Sequence, residues 1–133
     1  MKDYTHFIKA NNSNFSAILT MLTYRQQFKI NHWQTEAYAQ HMAFDKIYDS
    51  LDDSIDTFVE VIQGKYGRFK VGAASIPLVD LSSLDPIAHA TSFADYLVET
   101  LPTFVQPKDT ELLNIRDEML AQVNQLKYLL TLK

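Results

Sequence analysis

The chain has 133 residues, a formal net charge of −4 and no cysteine. This length is sufficient for one domain with its own hydrophobic core, and the lack of cysteine excludes disulfides, thiolate metal sites and cysteine nucleophiles. The negative charge does not favour nucleic-acid binding, and the apolar runs are shorter than the roughly 20 residues that span a bilayer. We therefore predict a single soluble domain over residues 1–133, cytoplasmic, with no membrane association and no support for DNA binding.

The first half of the chain predicts a pair of helices. The Asn and Ser residues at 11–14 are typical N-caps, and the apolar spacing that follows predicts a first helix to about Thr35. The second helix is predicted from about Ala39 to Gln63, with Gly64 as the residue that ends it. Because no Gly or Pro separates the two helices, we expect a short connection and an antiparallel pair.

The second half predicts another pair. The dipeptide Asp85-Pro86 combines an N-cap with proline at the first helical position, so a third helix starts there and ends near Pro102. Pro107 opens a fourth helix that continues to the C-terminus. The two pairs are joined by one long segment, residues 64–85. The sequence therefore predicts an all-α, ferritin-like four-helix bundle with one long crossover between helices two and three.

A stripe of titratable side chains lies along the second predicted helix. At 100° per residue the five members fall within an arc of roughly 100°: His41, Asp45, Asp52, Asp56 and Glu60. The stripe borders an apolar face formed by Phe44, Ile47, Tyr48, Leu51, Ile55, Phe58 and Ile62. Histidine and carboxylate groups together bind Fe(II), Mn(II) or Zn(II), and an oxygen-rich set favours iron or manganese.

One helix cannot bring these groups to a single metal ion. His41 is 15 residues from Asp56, and Asp45 is 15 residues from Glu60. Each interval is about 22 Å of helix rise. Either other helices complete each cluster, or a second copy of the helix runs antiparallel across a twofold axis near residues 50 and 51. The chain contains no Glu-x-x-His, the motif of di-iron sites within one ferritin-like subunit, so the dimer is favoured. His32 could then supply a second imidazole.

These residues resemble the ferroxidase motif of the Dps-like miniferritins. The resemblance covers roughly residues 15–64 and is carried by the pair His32-Trp33, by His41 with Asp45, and by Asp56 with Glu60. It implies iron sites made of two histidines and an aspartate from one chain with an aspartate and a glutamate from its twofold partner. The segment from His32 to His41 is shorter than in the family, so His32 is the less well matched ligand.

The resemblance also implies a function. Miniferritins bind Fe(II), oxidise it with peroxide or dioxygen and store the product in a homo-oligomeric cage built on such dimers. Manganese and zinc are alternative metals. Trp33 and Asp52 are interpreted as neighbours of the ligands, with Trp33 in the core. His6 and His89 have no partner at ligand spacing and are interpreted as structural.

Two other functions remain open. The chain is also similar to short ferritin-like proteins encoded by bacteriophages, which allows a non-catalytic structural or interaction protein, located in the host cytoplasm or the virion. In that case the acidic stripe would make polar contacts between subunits. A DNA-coating module is the third alternative, and it would require binding in spite of the negative net charge.

Overall fold

A computed structural model describes the backbone of residues 4–133 and the side chains of residues 15–133. Within these residues all regular structure is helical, and no β-strand occurs, so the all-α prediction is confirmed. Four main helices form a bundle: α1 (Tyr4–Gln34), α2 (Tyr38–Tyr66), α3 (Pro86–Asp95) and α4 (Thr110–Leu129). Single turns of π-helix (Tyr96–Thr100) and 3-10 helix (Leu101–Phe104) extend α3, and another 3-10 turn occupies Leu81–Ser83.

The long connection between α2 and α3 follows α1 along the bundle. It begins where Phe69 stacks on Phe15, with ring centroids 5.4 Å apart. Further along, the backbone of Val79 exchanges two hydrogen bonds with the buried side-chain amide of Gln27, and Gln34 accepts the next bond from Leu81 N–H. The α1 segment from residue 15 to residue 34 is about 28 Å long. The connection therefore runs the length of the bundle, so that α3 starts at the end where α2 starts.

Contacts between the remaining helices give their directions. Tyr24 and Ser92 share a hydrogen bond of 2.7 Å, whereas Tyr96 further along α3 donates to the carbonyl of Ala17. These contacts show that α3 is antiparallel to α1. On the other side of the bundle, Gln122 in α4 donates to Ser54 near the middle of α2. The beginning of α4 meets the end of α2, so these two helices are also antiparallel.

The core is rich in aromatic side chains. The largest fully buried residues include Phe28, Phe44, Phe58 and Phe93, one from each of α1 and α3 and two from α2. The apolar face predicted on the second helix is confirmed, since all its members except Tyr48 are buried. Truncating a buried phenylalanine to alanine typically costs about 3–5 kcal/mol of stability. This packing fixes which side of α2 remains available to solvent.

Several predicted helix ends are wrong. α1 begins at Tyr4 rather than at 11–14, because no Gly or Pro interrupts the segment. α2 continues past Gly64 to Tyr66 and ends at Gly67, which has a φ of 92° and donates its N–H to the carbonyl of Gln63. The start of α3 is confirmed: the side chain of Asp85 accepts hydrogen bonds from the first N–H groups of the helix.

Candidate metal site

The two predicted histidine ligands lie face to face where α1 meets α2. The rings of His32 and His41 stack with centroids 3.9 Å apart and an interplanar angle of 20°. They also exchange hydrogen bonds: Nδ1 of His32 lies 2.7 Å from the carbonyl of His41, and Nδ1 of His41 lies 2.9 Å from the carbonyl of His32. The short Thr35–Ala37 connection makes this reciprocal contact possible because it places the end of α1 beside the first turn of α2.

These bonds determine the chemistry of the two rings. A carbonyl oxygen only accepts hydrogen bonds, so Nδ1 of each ring must carry the proton. In the neutral form, the Nε2 atoms of His32 and His41 therefore hold free lone pairs. A ring held by a bond from Nδ1–H to a backbone carbonyl is a common arrangement for histidines that bind metal through Nε2. The neutral pair thus has the tautomer that metal ligation through Nε2 requires.

Asp45 of α2, the third predicted ligand from this subunit, lies beside His32. A carboxylate oxygen of Asp45 is 3.9 Å from Nε2 of His32 and 3.7 Å from the ammonium of Lys29. The Asp45 side chain is 41% exposed, so water reaches it. Lys29 also lies over the rings of Tyr48 and Trp33, at 4.7 and 5.7 Å from the centroids. His32 at the end of α1 therefore lies beside both His41 and Asp45 of α2, with a neighbouring cation.

The other two predicted ligands are far from this group within one subunit. Asp56 and Glu60 are exposed, and Asp56 alone is 11 residues beyond Asp45, about 16 Å of helix rise. In the part of the chain whose side chains are described, no three His, Asp or Glu groups converge closely enough to hold a metal ion. One subunit thus carries one half of the predicted site, with Asp45, near the start of α2. The other half, Asp56 and Glu60, lies further along the same side of the helix.

Two neighbouring residues differ from the sequence interpretation. Trp33 is not in the core: it is 64% exposed near the end of α1, on a side of the helix that no other described element covers. Asp52 forms an ion pair with Arg25 at 3.1 Å, which ties α2 to α1. His89 is partly buried against the rings of Tyr24 and Phe28, in agreement with a structural role. The side chain of His6 lies outside the described residues.

Sequence reasoning missed the two cations beside the stripe. Lys29 and Arg25 belong to α1, and each contacts an aspartate of α2. The sequence contained a signal, since Lys29 precedes His32 by three residues and so lies on the same side of α1. What the sequence did not give was the alignment of the two helices, which decides which carboxylate each cation meets.

No helix among the described residues has the length and apolar content needed to cross a membrane. Residues 32–130 match the model of a family of unknown function, DUF5856. The chain is also 28% identical over 110 residues to an uncharacterized 14.6 kDa protein from the mobD-ri intergenic region of Enterobacteria phage T4, a match that covers 80% of this chain and 78% of the relative. Neither description states an activity, and no solved structure matches the chain significantly. Because the family model covers most of its length and all five predicted ligands, the chain belongs to the DUF5856 family.

Proposed function

We propose that the protein is a miniferritin-like ferroxidase, which binds Fe(II) as its substrate between two copies of α2. The observation that supports this most directly is the reciprocal hydrogen bonding of His32 and His41, because it leaves both Nε2 atoms available as ligands. Asp45 adds a carboxylate oxygen beside them. Nitrogen and oxygen ligands of this kind suit Fe(II), with manganese and zinc as competing ions.

A second subunit would supply the remaining ligands. His41 and Glu60 are equally far from the point between residues 50 and 51, and so are Asp45 and Asp56. A twofold axis that passes beside α2 at this level, perpendicular to the helix and between the two copies, would place His41 opposite Glu60 of the other copy and Asp45 opposite its Asp56. Each dimer would then contain two equal sites. The proposed assembly is a homo-oligomer built on this dimer, with a hollow cage as its largest form.

The helix directions support the same proposal. Ferritin-like bundles contain one long crossover that joins two parallel helices. In this chain the connection from α2 to α3 runs beside α1 from Phe15 to Gln34, and α3 is antiparallel to α1. The architecture of the described residues is therefore compatible with a ferritin-like topology, in which metal ligands are presented by neighbouring helices.

The proposed reaction is the oxidation of two Fe(II) ions by hydrogen peroxide. Each Fe(II) loses one electron, and the peroxide takes up both electrons with two protons to give two water molecules. Carboxylates favour the product because they stabilise the more highly charged Fe(III). The chain's contribution is to bind the two ions through Asp45, Asp56 and Glu60, whose side chains are open to solvent in the single subunit.

The test is the double substitution Asp56→Ala with Glu60→Ala. A matched control is Asp95→Ala with Glu99→Ala, which removes the same residue types at the same spacing from an exposed part of α3 and the turn that follows it. Anaerobic Fe(II) titration followed by addition of peroxide should show saturable binding and rapid oxidation in the wild type and in the control. The Asp56/Glu60 variant should show neither, with its helical circular dichroism unchanged. Equal oxidation rates in all three proteins would reject the ferroxidase proposal.

A structural or interaction protein is the second candidate function. It is favoured by the ion pairs of Arg25 with Asp52 and Lys29 with Asp45, which already neutralise two members of the stripe. Metal analysis of protein purified without chelator distinguishes the two functions. A ferroxidase should contain iron as purified or after incubation with Fe(II). The iron content of a structural protein should equal that of the buffer in both samples.

A further inference from the structure

The outer side of α1 carries a row of mainly apolar side chains, which we call the α1 seam. Its members follow one another at alternating intervals of four and three residues, the spacing by which helices pack against each other: Phe15, Leu19, Leu22, Gln26, Lys29 and Trp33. At 100° per residue they fall within an arc of roughly 80°. All six are at least partly exposed, and Trp33 is 64% exposed. Because tryptophan is enriched among the residues that dominate protein interfaces, the α1 seam is a candidate contact surface.

The α1 seam lies on the same face of the bundle as the predicted metal ligands of α2. Lys29 contacts Asp45, and Leu22 lines a groove between the two helices together with Asp56. α1 and α2 thus form one layer, with the seam along one helix and the ligands along the other. A partner that covers the ligands of α2 also covers the α1 seam.

The order of residues in the α1 seam is symmetric about residue 24. Phe15 and Trp33 are each nine residues from this point. The members between them form two further pairs at equal distances, Leu19 with Lys29 and Leu22 with Gln26. When a second copy of α1 packs antiparallel with its own residue 24 at the same level, each member meets its pair, and aromatic rings meet at both ends. Self-complementarity of this kind is what a twofold dimer requires.

The axis of this pairing lies at the level of the axis that would complete the metal site. The ion pair of Arg25 with Asp52 and the stacked rings of His32 and His41 place residues 50 and 51 of α2 beside about residues 23–26 of α1. A twofold axis at this level, perpendicular to the helices and parallel to their layer, keeps α1 on the same side in both copies. It therefore sets α1 against α1 and α2 against α2, with each pair antiparallel.

The charges of α2 favour the same arrangement. Residues 49–60 contain five acidic side chains and no basic one. Residues 38–48 contain one acidic side chain together with His41 and Lys46, and Lys29 of α1 lies beside them. An antiparallel arrangement brings the acidic half of each copy to the half that carries the cations, whereas a parallel arrangement would place acid against acid.

We propose that the α1 seam is the contact surface for a second copy of this chain, in which Trp33 of each copy packs against Phe15 of the other. Phe15 is already stacked on Phe69, so the indole ring completes a cluster of three aromatic rings at each end of the interface. The inference rests on the proposed function, because the same axis brings His41 to Glu60 of the other copy. Trp33 is thus a positioning residue for the metal site and does not bind the metal itself.

The fluorescence of Trp33 tests the contact directly, because Trp33 is the only tryptophan of the chain. Acrylamide quenching is measured in buffer with a chelator over a range of protein concentrations, and sedimentation gives the mass of the same samples. Zn²⁺ replaces the chelator if the dimer forms only with metal. Since the core of an interface excludes water, we expect quenching of the dimer to be weaker than that of the monomer by about threefold or more. A dimer in which Trp33 is quenched as readily as in the monomer would overturn the inference.

A substitution in the middle of the α1 seam tests the rest of the surface. Leu19→Asp places an unpaired charge in the interface and should weaken dimerisation by roughly tenfold or more. The control is Val98→Asp, the same kind of change at an exposed apolar residue in the turn after α3. Circular dichroism should be unchanged in both variants. If the Leu19 variant dimerises as tightly as the control, the α1 seam is not the contact surface.

A disulfide test measures the register of the two helices. The natural chain has no cysteine, so Leu19→Cys with Lys29→Cys contains only the introduced thiols. The two positions are about 15 Å apart on one helix, which no disulfide within one chain can bridge. The control combines Lys29→Cys with Ser16→Cys, a more exposed position about 100° around α1 from the centre of the seam. After oxidation with diamide we expect a covalent dimer from the first pair and roughly tenfold less from the control, and equal linking would contradict the register.

Fe(II) binding by the same samples separates this inference from the proposed function. If Trp33 is covered in the dimer but the dimer binds no Fe(II), the interface is correct and the ferroxidase proposal fails. If the wild type binds and oxidises Fe(II) while Trp33 stays accessible, the function stands and the contact of Trp33 with Phe15 is wrong. A wild-type protein that is monomeric without metal and stays monomeric with Fe(II) would reject both.

Discussion

The ammonium nitrogen of Lys29 lies 3.7 Å from the carboxylate of Asp45, the same carboxylate that lies nearest His32. The ring of Tyr48 is on one side of Lys29, and the exposed ring of Trp33 is close by. The predicted metal ligand therefore already has a cationic partner within its own subunit. A metal ion that binds Asp45 must compete with this partner, so the side chain of Lys29 should reduce the affinity of the site.

Replacing Lys29 with glutamine should tighten metal binding. Partly exposed ion pairs contribute up to about 1 kcal/mol, so the dissociation constant should decrease by up to roughly fivefold. The measurement is anaerobic calorimetric titration with Fe(II), and with Zn²⁺ as an ion that undergoes no oxidation. Lys108→Gln, which makes the same charge change at an exposed site outside α1 and α2, serves as the control. Unchanged or weaker metal affinity in the Lys29 variant would show that Lys29 does not compete with the metal ion for Asp45.

The junction of α2 with α4 depends on a buried carboxylate. Asp109 has no exposed side-chain surface, and it accepts hydrogen bonds from Tyr66 O–H at 2.5 Å and from Gln106 N–H at 2.8 Å. The ammonium of Lys65 lies 2.5 Å from its other oxygen. Burial by itself would raise the pKa of Asp109, but the bonds from Lys65, Tyr66 and the Gln106 N–H outweigh it and lower that pKa. Burial, together with Asp109, raises the pKa of Tyr66 to about 12.

Asp109→Asn should lower the free energy of unfolding by about 2–3 kcal/mol, because it removes a charged acceptor and leaves buried donors poorly satisfied. A carboxylate with a lowered folded-state pKa stabilises the fold above the unfolded-state pKa of 3.8. That contribution is lost as the pH falls from there through the lower folded-state value. Urea unfolding at pH 7 and between pH 4 and 2.5 measures both effects. Asp117→Asn, in an exposed ion pair with Arg116, should change the stability by less than about 0.5 kcal/mol. An equal loss of stability in the two variants would show that the contacts of Asp109 with Lys65 and Tyr66 stabilise the fold no more than an exposed ion pair does.

A third prediction concerns His89, which packs between the rings of Tyr24 and Phe28. Burial lowers its pKa from the ordinary value of 6.5. The unfolded chain then takes up a proton at a higher pH than the folded chain does. The stabilising contribution of neutral His89 is therefore complete above pH 6.5 and is lost as the pH falls from there through the folded-state pKa.

His89→Phe should make the stability less dependent on pH in the acidic range. One group of this kind changes the free energy of unfolding by at most about 1.4 kcal/mol per pH unit. Urea unfolding of the wild type and the variant at pH 7.5, 6.5 and 5.5 measures the difference in slope. Identical slopes would mean that His89 is accessible to protons in the folded protein.

Much of the architecture follows from local sequence patterns. Apolar residues at helical spacing predicted four helices, and Asp85 with Pro86 marked the start of α3 correctly, because an N-cap acts on N–H groups only two or three residues away. The shared side of His41, Asp45, Asp56 and Glu60 also follows from local geometry, since an α-helix has a fixed rotation per residue. The family match adds no test of the metal chemistry, which stays a prediction.

Other features depended on contacts between distant segments. α2 continues through Gly64 and ends at Gly67, although the local sequence favoured the earlier glycine. Trp33 is exposed because it lies on a side of α1 that the other described elements leave open, and an apolar pattern alone does not show which side of a helix the other elements will cover. Asp109 precedes α4 as an apparent cap, yet its carboxylate is bound by Lys65 and Tyr66 from α2.

The sequence by itself determined that the chain is helical and that four possible ligands, His41, Asp45, Asp56 and Glu60, share one side of the second helix, because these properties depend on residues within a few turns. The tertiary structure alone decided that the backbone carbonyls of His32 and His41 fix the tautomer of each other's ring, and that Lys29 meets Asp45. Both relationships require the alignment of α1 against α2. That alignment is set by the packing of side chains such as Phe28 and Phe44 in the core, which no local period in the sequence specifies.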